Sequence, residues 1–267
     1  MRAAVLGSPV GHSLSPLLHR AAYRELGLAG WTYDAIEVTE PEVAGFLAGL
    51  GREWAGLSLT MPLKTAVVPL LNAVSAVAVA TGSVNTVLLR GGRQLGDNTD
   101  VAGMQLALDR LGGGRWGRAV VLGGGATGRS ALAALTGRVG EVVAYVREPA
   151  RARALVEASS ALGVHLDVRR WGDGVDLAAG LVVNTTPKGA ADALAAAVPS
   201  RPGALVEVLY DPRPTALAAA WEGRGGRVVD GLVMLVGQAV EQVRLMTAAA
   251  FDRPALVAVL ESSLPRP

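Results

Sequence analysis

Gly123-Gly124-Gly125-Ala126-Thr127-Gly128 has the form GxGxxG, and its setting restricts the fold more than any other segment. It follows an apolar strand-like run at 119–122 and precedes a helix-like run at 129–135. In such a unit the first glycine permits a tight bend, and the second lets backbone N–H groups approach a pyrophosphate. The third allows close helix-to-strand packing. A chain holding 34 glycines also produces glycine-rich loops by chance, but the flanking strand and helix argue for the functional turn. Further strand-like runs at 142–146, 164–168, 181–184 and 205–208 continue the alternation, so residues 102–231 are expected to form a doubly wound Rossmann domain.

The end of the second strand of such a sheet selects the dinucleotide. A carboxylate there suits free ribose hydroxyls, and an arginine suits a 2′-phosphate. Here Val146 is followed by Arg147, and Arg151 lies one helical turn on, so two guanidinium groups can bracket a phosphate. NADP is therefore expected over NAD, although Glu148 would oppose a phosphate if it turned inward.

Upstream, strand-like segments at 3–6, 31–38, 56–59 and 84–89 alternate with helix-like ones, the pattern of crossover units in a mostly parallel sheet. Ser15-Pro16 is expected to open a helix with a capping serine and a proline at the first helical position. Helices are expected at 41–50 and 64–71, and two more, 232–250 and 254–260, follow the last strand. The expected architecture is two-domain α/β. A substrate-binding domain spans 1–101, the dinucleotide-binding domain spans 102–231, and C-terminal helices of 232–267 return to the first domain. Short connectors and a cleft between the domains are expected.

Composition narrows the function. Lys plus Arg number 25 against 23 Asp plus Glu, so a net +2, evenly spread, gives no basis for nucleic-acid binding. With no cysteine, disulfides and thiolate chemistry are excluded, and His12, His19 and His165 form no metal-ligand set. The first residues lack the pattern of a signal peptide, and the apolar run at 232–250 is broken by Gln238, Glu241, Gln242 and Arg244. A cytoplasmic protein without membrane partners is expected, as monomer or homodimer.

Polar clusters in this apolar background carry the chemistry. Lys64 in Leu-Thr-Met-Pro-Leu-Lys, Asn85 in Ser-Val-Asn-Thr and Asp100 in Asp-Asn-Thr-Asp supply an amine, an amide and a carboxylate. These groups can hold a polyol and move a proton while a cofactor moves a hydride. Ser13 and Ser15 lie at the end of the first strand, where a carboxylate or polyol would bind. Gln238 shares a helix face with Gly231 and Met234 and needs a polar partner, either a ligand hydroxyl or backbone, whereas Gln242, one turn on, reads as structural.

Taken in order, Gly7–His19 (GSPVGHSLSPLLH), LTMPLK, GSVNT, DNTDVAG at 97–103, the glycine turn, NTTPKG at 184–189 and GLVMLVGQAVEQ at 231–242 resemble the shikimate dehydrogenase family. The resemblance implies reversible, NADP-linked oxidation of shikimate to 3-dehydroshikimate in aromatic amino-acid biosynthesis. It implies that Ser13 and Ser15 bind the substrate carboxylate, and that Thr60, Lys64, Asn85, Asp100, Tyr210 and Gln238 surround the ring hydroxyls. Lys64 and Asp100 would be the catalytic pair. On the cofactor side it implies Gly123, Gly124, Gly125, Ala126, Thr127, Arg147, Arg151, Val208 and Gly231. Departures are Ser58 where the family carries asparagine, and Val146-Arg147-Glu148 in place of the Asn-Arg-Thr clamp. These leave room for a quinate or aminoshikimate dehydrogenase using NAD(P). A non-catalytic regulatory paralogue is a further alternative, against which intact Lys64, Asn85 and Asp100 argue.

Overall fold

The computed structural model describes residues 1–265, apart from the Arg151 side chain. The chain divides into two compact units, Met1–Asp100 with Leu235–Pro267, and Val101–Met234.

The first unit is built on β1 (Arg2–Gly7), β2 (Thr32–Glu37), β3 (Trp54–Leu59), β4 (Ala73–Val74), β5 (Thr86–Arg90) and β6 (Arg93–Asp97), in the order β2-β1-β3-β5-β6-β4. β1 runs parallel to β2 and β3, while β5 is antiparallel to both β3 and β6. The reversal between β5 and β6 follows from Gly91 and Gly92, whose φ values of +58° and +75° close a two-residue hairpin that pairs Arg90 with Arg93.

Helices α1 (Ser15–Glu25), α2 (Glu40–Ala48), α3 (Leu63–Ala66) and α4 (Ala76–Thr81) connect the strands, and α5 (Asp100–Arg110) leads onward. Local signals set their ends. Thr39 and Glu42 form a capping box at α2, with the Thr39 N–H donating to Glu42 Oε2 at 2.9 Å. Ser75 caps α4, which ends in left-handed Gly82. The helix expected over 64–71 is instead α3 followed by a 3₁₀ turn at Val68–Leu70, because Pro69 interrupts the helical hydrogen bonds. The expected serine cap of α1 also differs. Leu14 occupies the N-cap, and Ser13 Oγ accepts from the Ser15 N–H at 3.2 Å. Leu6, Leu57, Leu59, Leu63, Val67, Val84 and Val87 form the core that fixes α3 and the segment before β5 against the sheet.

The second unit holds β7 (Trp116–Leu122), β8 (Val139–Val146), β9 (Leu166–Arg170), β10 (Leu181–Asn184), β11 (Ala204–Glu207) and β12 (Arg227–Val229), all parallel, in the order β12-β11-β10-β7-β8-β9. This is the doubly wound order with its switch point between β7 and β10. α6 (Ala126–Leu135), α7 (Arg153–Leu162) and α8 (Ala216–Gly223) flank it, with Trp221 and Leu217 of α8 packed on Val120, Leu122, Val182 and Leu205. α9 (Gly231–Thr247) leads back to the first unit, where α10 (Arg253–Ser263) packs against α1. Among the described residues no helix is long and apolar enough to cross a membrane.

Candidate active site

Lys64, Asn85 and Asp100 meet in the first unit. Lys64 Nζ donates to Asp100 Oδ2 at 2.5 Å, and the two side chains are 18% and 5% exposed, so the pair is largely withdrawn from water while the amine keeps a route to a ligand. Asp100 is the first residue of α5, where the helix N-terminus favours its negative charge. Its other oxygen, Oδ1, accepts from Asn85 Nδ2 at 2.8 Å.

The Asn85 amide is held from its opposite end. Its Oδ1 accepts from the Thr99 N–H at 2.7 Å, from Thr99 Oγ1 at 3.0 Å and from Thr86 Oγ1 at 2.8 Å, so its N–H₂ must face the carboxylate. The Lys64 carbonyl accepts from the Val84 N–H at 2.8 Å, tying α3 to the segment that carries Asn85. An amine, an amide and a carboxylate are thus fixed relative to one another before any ligand arrives.

Gln242, expected to be structural, is a junction behind this cluster. Its Nε2 donates to Thr86 Oγ1 at 3.0 Å and to the Asn85 carbonyl at 3.3 Å, and its Oε1 accepts from Ser58 Oγ at 2.7 Å. Ser58 accepts in turn from Tyr33 OH at 2.5 Å. The shorter residue at this position is therefore not turned to solvent: it is buried and engaged on both sides. No local pattern could have marked Gln242, since its partners are 156, 157 and 184 residues away.

The other expected substrate residues are placed as follows. Ser15 is buried and Ser13 half-buried at the start of α1. Thr60 is half-buried just beyond β3, and its backbone N–H donates to the Leu6 carbonyl at 2.9 Å. Its methyl passes so close to Gly7 that a Cβ there would collide with it, which explains the glycine that ends β1. Gln238 is buried and donates through Nε2 to the Leu235 carbonyl at 2.8 Å, so part of its polar demand is met within α9. Tyr210 belongs to the second unit, and burial raises its phenol pKa.

In the second unit the glycine turn has the conformation its sequence requires. Gly123 has φ +99°, and a Cβ there would lie 2.8 Å from Thr185 Oγ1. A Cβ on Gly128 would sit 2.7 Å from the Gly123 carbonyl. Gly125, the N-cap of α6, has open space where a side chain would be and offers no side-chain cap. The first N–H groups of α6 at Ala126 and Thr127 are therefore available to an anion, and the turn fits a pyrophosphate. Val146 packs on Gly124, and exposed Arg147 follows at the end of β8. The Arg151 side chain lies outside the described residues. Val208 donates its N–H to the Asn184 carbonyl at 3.1 Å, and its own carbonyl abuts Gly231 so closely that any Cβ there would collide. Behind it, buried Glu207 accepts from Asn184 Nδ2 at 2.9 Å and from Thr215 Oγ1 at 2.9 Å.

A glycine turn opening a helix on a doubly wound sheet, in a chain that also fixes a lysine–carboxylate pair, defines a dinucleotide-dependent dehydrogenase. Comparison with known proteins specifies which. A profile described as the shikimate dehydrogenase substrate binding domain matches residues 5–87. The NADP(+) shikimate dehydrogenase of Oleidesulfovibrio alaskensis is 39% identical over 90% of this chain and 88% of its own length. The crystal structure of Mycobacterium tuberculosis shikimate dehydrogenase superposes with a TM-score of 0.89 at 38% identity, covering 98% of this chain and 99% of that one. That of Thermus thermophilus, in complex with NADP(H) and shikimate, gives 0.83 at 35% identity, covering 99% and 100%. The chain belongs to the shikimate dehydrogenase family.

Proposed function

We propose that this protein catalyses the reversible, NADP-linked oxidation of shikimate to 3-dehydroshikimate, a step of aromatic amino-acid biosynthesis, in the cytoplasm and as a monomer or homodimer. Residues 1–101 with 232–267 hold the substrate, and residues 102–231 hold the cofactor. The observation that carries the reading is the Lys64–Asp100–Asn85 cluster, whose ion pair and amide are fixed by 2.5 and 2.8 Å contacts.

Ser13 and Ser15 receive the substrate carboxylate, and Thr60, Asn85, Asp100, Gln238 and Tyr210 receive its hydroxyls. NADP, when bound, supplies the hydride acceptor for oxidation and the hydride donor for reduction. Residues 123–127, Arg147, Arg151, Val208 and Gly231 hold it. Lys64 handles the proton. In oxidation its neutral amine accepts the hydroxyl proton as the carbonyl forms, and in reduction the ammonium returns a proton to the nascent alkoxide. Asp100 stabilises the ammonium and points the lysine, while its bond from Asn85 keeps the carboxylate from swinging to another partner.

The test separates chemistry from binding. Lys64→Ala is expected to lower kcat by about 10² to 10⁴ while leaving the shikimate Kd, measured by calorimetry, within a few-fold of the parent. An unchanged kcat removes Lys64 from the proton-transfer role.

A further inference from the structure

The 2′-phosphate clamp expected at the end of β8 carries a conspicuous substitution, because the residue after Arg147 is the acidic Glu148. The neighbouring strand supplies a second guanidinium. β8 and β9 are parallel and in register, with Val146 opposite Arg170 and Tyr145 opposite Arg169. Paired residues on adjacent parallel strands project to the same side of the sheet. Val146 lies against Gly124 of the glycine turn, so Arg170 is on the turn's side of the sheet and Arg169 is on the other.

The two arginines are also in different electrostatic states. Arg169 Nε donates to Asp167 Oδ2 at 2.7 Å, so its charge is already met. Arg170 is exposed, and among the described residues its side chain makes no hydrogen bond or ion pair. It borders a cavity of about 570 Å³ at the C-terminal ends of β8 and β9, walled also by Tyr145, Pro149, Arg169 and Gly174, so the cavity wraps the strand ends and Arg169, already paired with Asp167, forms its far wall. Ligands of doubly wound sheets bind beyond the C-terminal ends of the strands. Asp173 adds one carboxylate to that cavity, against which the charge of Arg170 is not neutralised by contact.

We propose that Arg170 is a specificity-determining residue for the cofactor, acting with Arg147 to receive a 2′-phosphorylated adenosine, with the cavity beside it taking the adenosine end. This rests on the NADP reading above. Arg170 thereby adds a guanidinium from the adjacent strand beside Arg147, next to the acidic Glu148.

Calorimetric titration with adenosine 2′,5′-bisphosphate and with adenosine 5′-monophosphate tests the assignment without turnover. Arg170→Ala is expected to weaken the bisphosphate roughly 10- to 100-fold, as for loss of a charged hydrogen bond, and to leave the monophosphate unchanged. Arg170→Lys should recover part of the loss, since it keeps the charge without the fork. Because the side chain is exposed, the fold does not depend on it. If Arg147→Ala loses the bisphosphate preference and Arg170→Ala keeps it, Arg170 has no part in the clamp while the NADP reading stands. If the parent protein itself shows no preference between the two nucleotides, the NADP reading fails and this inference with it.

Discussion

His19 should make the stability of this protein strongly dependent on pH between 4 and neutrality. Its ring is fully buried on α1, stacked on Tyr33 with centroids 3.9 Å apart. Nδ1 lies 2.9 Å from the Ser15 carbonyl, which can only accept, so the buried ring carries its proton on Nδ1. Nε2 has no partner among the described residues. Protonation would thus place a charge in the core, and burial lowers the pKa from 6.5 to about 4, outweighing the raising effect of the Ser15 carbonyl and the Gln242 side chain. Between these values the unfolded chain binds a proton that the folded one refuses, so the stability His19 confers is complete above pH 6.5 and is lost as pH falls towards 4. At about 1.4 kcal/mol per pH unit across that interval, the loss at pH 4 is about 3 kcal/mol. Urea unfolding of the parent and of His19→Leu at constant ionic strength, from pH 7 to pH 4, measures it. The variant starts less stable at pH 7, having lost the stack and the Ser15 bond, but its curve should fall by about 3 kcal/mol less over the interval. Parallel curves for the two proteins would refute the reasoning.

Glu207 should act with the opposite sign in the second unit. Burial raises its carboxyl pKa above 4.5, so the folded state holds that proton more tightly, and stability from this group is fully present below that ordinary value and declines as pH rises through the folded one. Thermal melts of Glu207→Gln should show a shallower decline above that pH, and an unchanged slope would contradict the assignment. Gln242→Leu removes the acceptor of the buried Ser58 hydroxyl and the donor to Thr86 Oγ1 and the Asn85 carbonyl, and should cost about 1–3 kcal/mol in unfolding free energy while raising the KM for shikimate through a loosened Asn85. A variant with parent KM and stability would show that the junction positions nothing. Arg147→Ala should raise the KM for NADP and leave that for NAD nearly untouched, and equal losses with both would remove Arg147 from 2′-phosphate recognition.

What the sequence disclosed and what it concealed divide along the range of the interactions. The glycine turn was legible because its constraints are local: the positive φ of Gly123 and the contact of Gly128 with the Gly123 carbonyl arise within six residues. Lys64, Asn85 and Asp100 were legible as residue types in recognisable segments. Their mutual geometry was not, since it is made by α3, the segment before β5 and the start of α5 coming together in the fold. The hairpin at Gly91-Gly92 was present as a two-glycine signal, yet β6, with Arg93, Gln94 and Asp97, lacks the apolar alternation that announces a strand. Ser58 and Gln242 form one hydrogen bond across 184 residues, and nothing in either neighbourhood foretells it. β9 begins and ends two residues later than the apolar run at 164–168 suggested, and that shift brings Arg169 and Arg170 into the strand.

The most direct test is absorbance at the reduced-nicotinamide band, with purified protein and shikimate or quinate set against NADP or NAD. Turnover with shikimate and NADP is expected well above that of the other three combinations. No reduction with shikimate and NADP, from protein that binds both, would contradict that expectation.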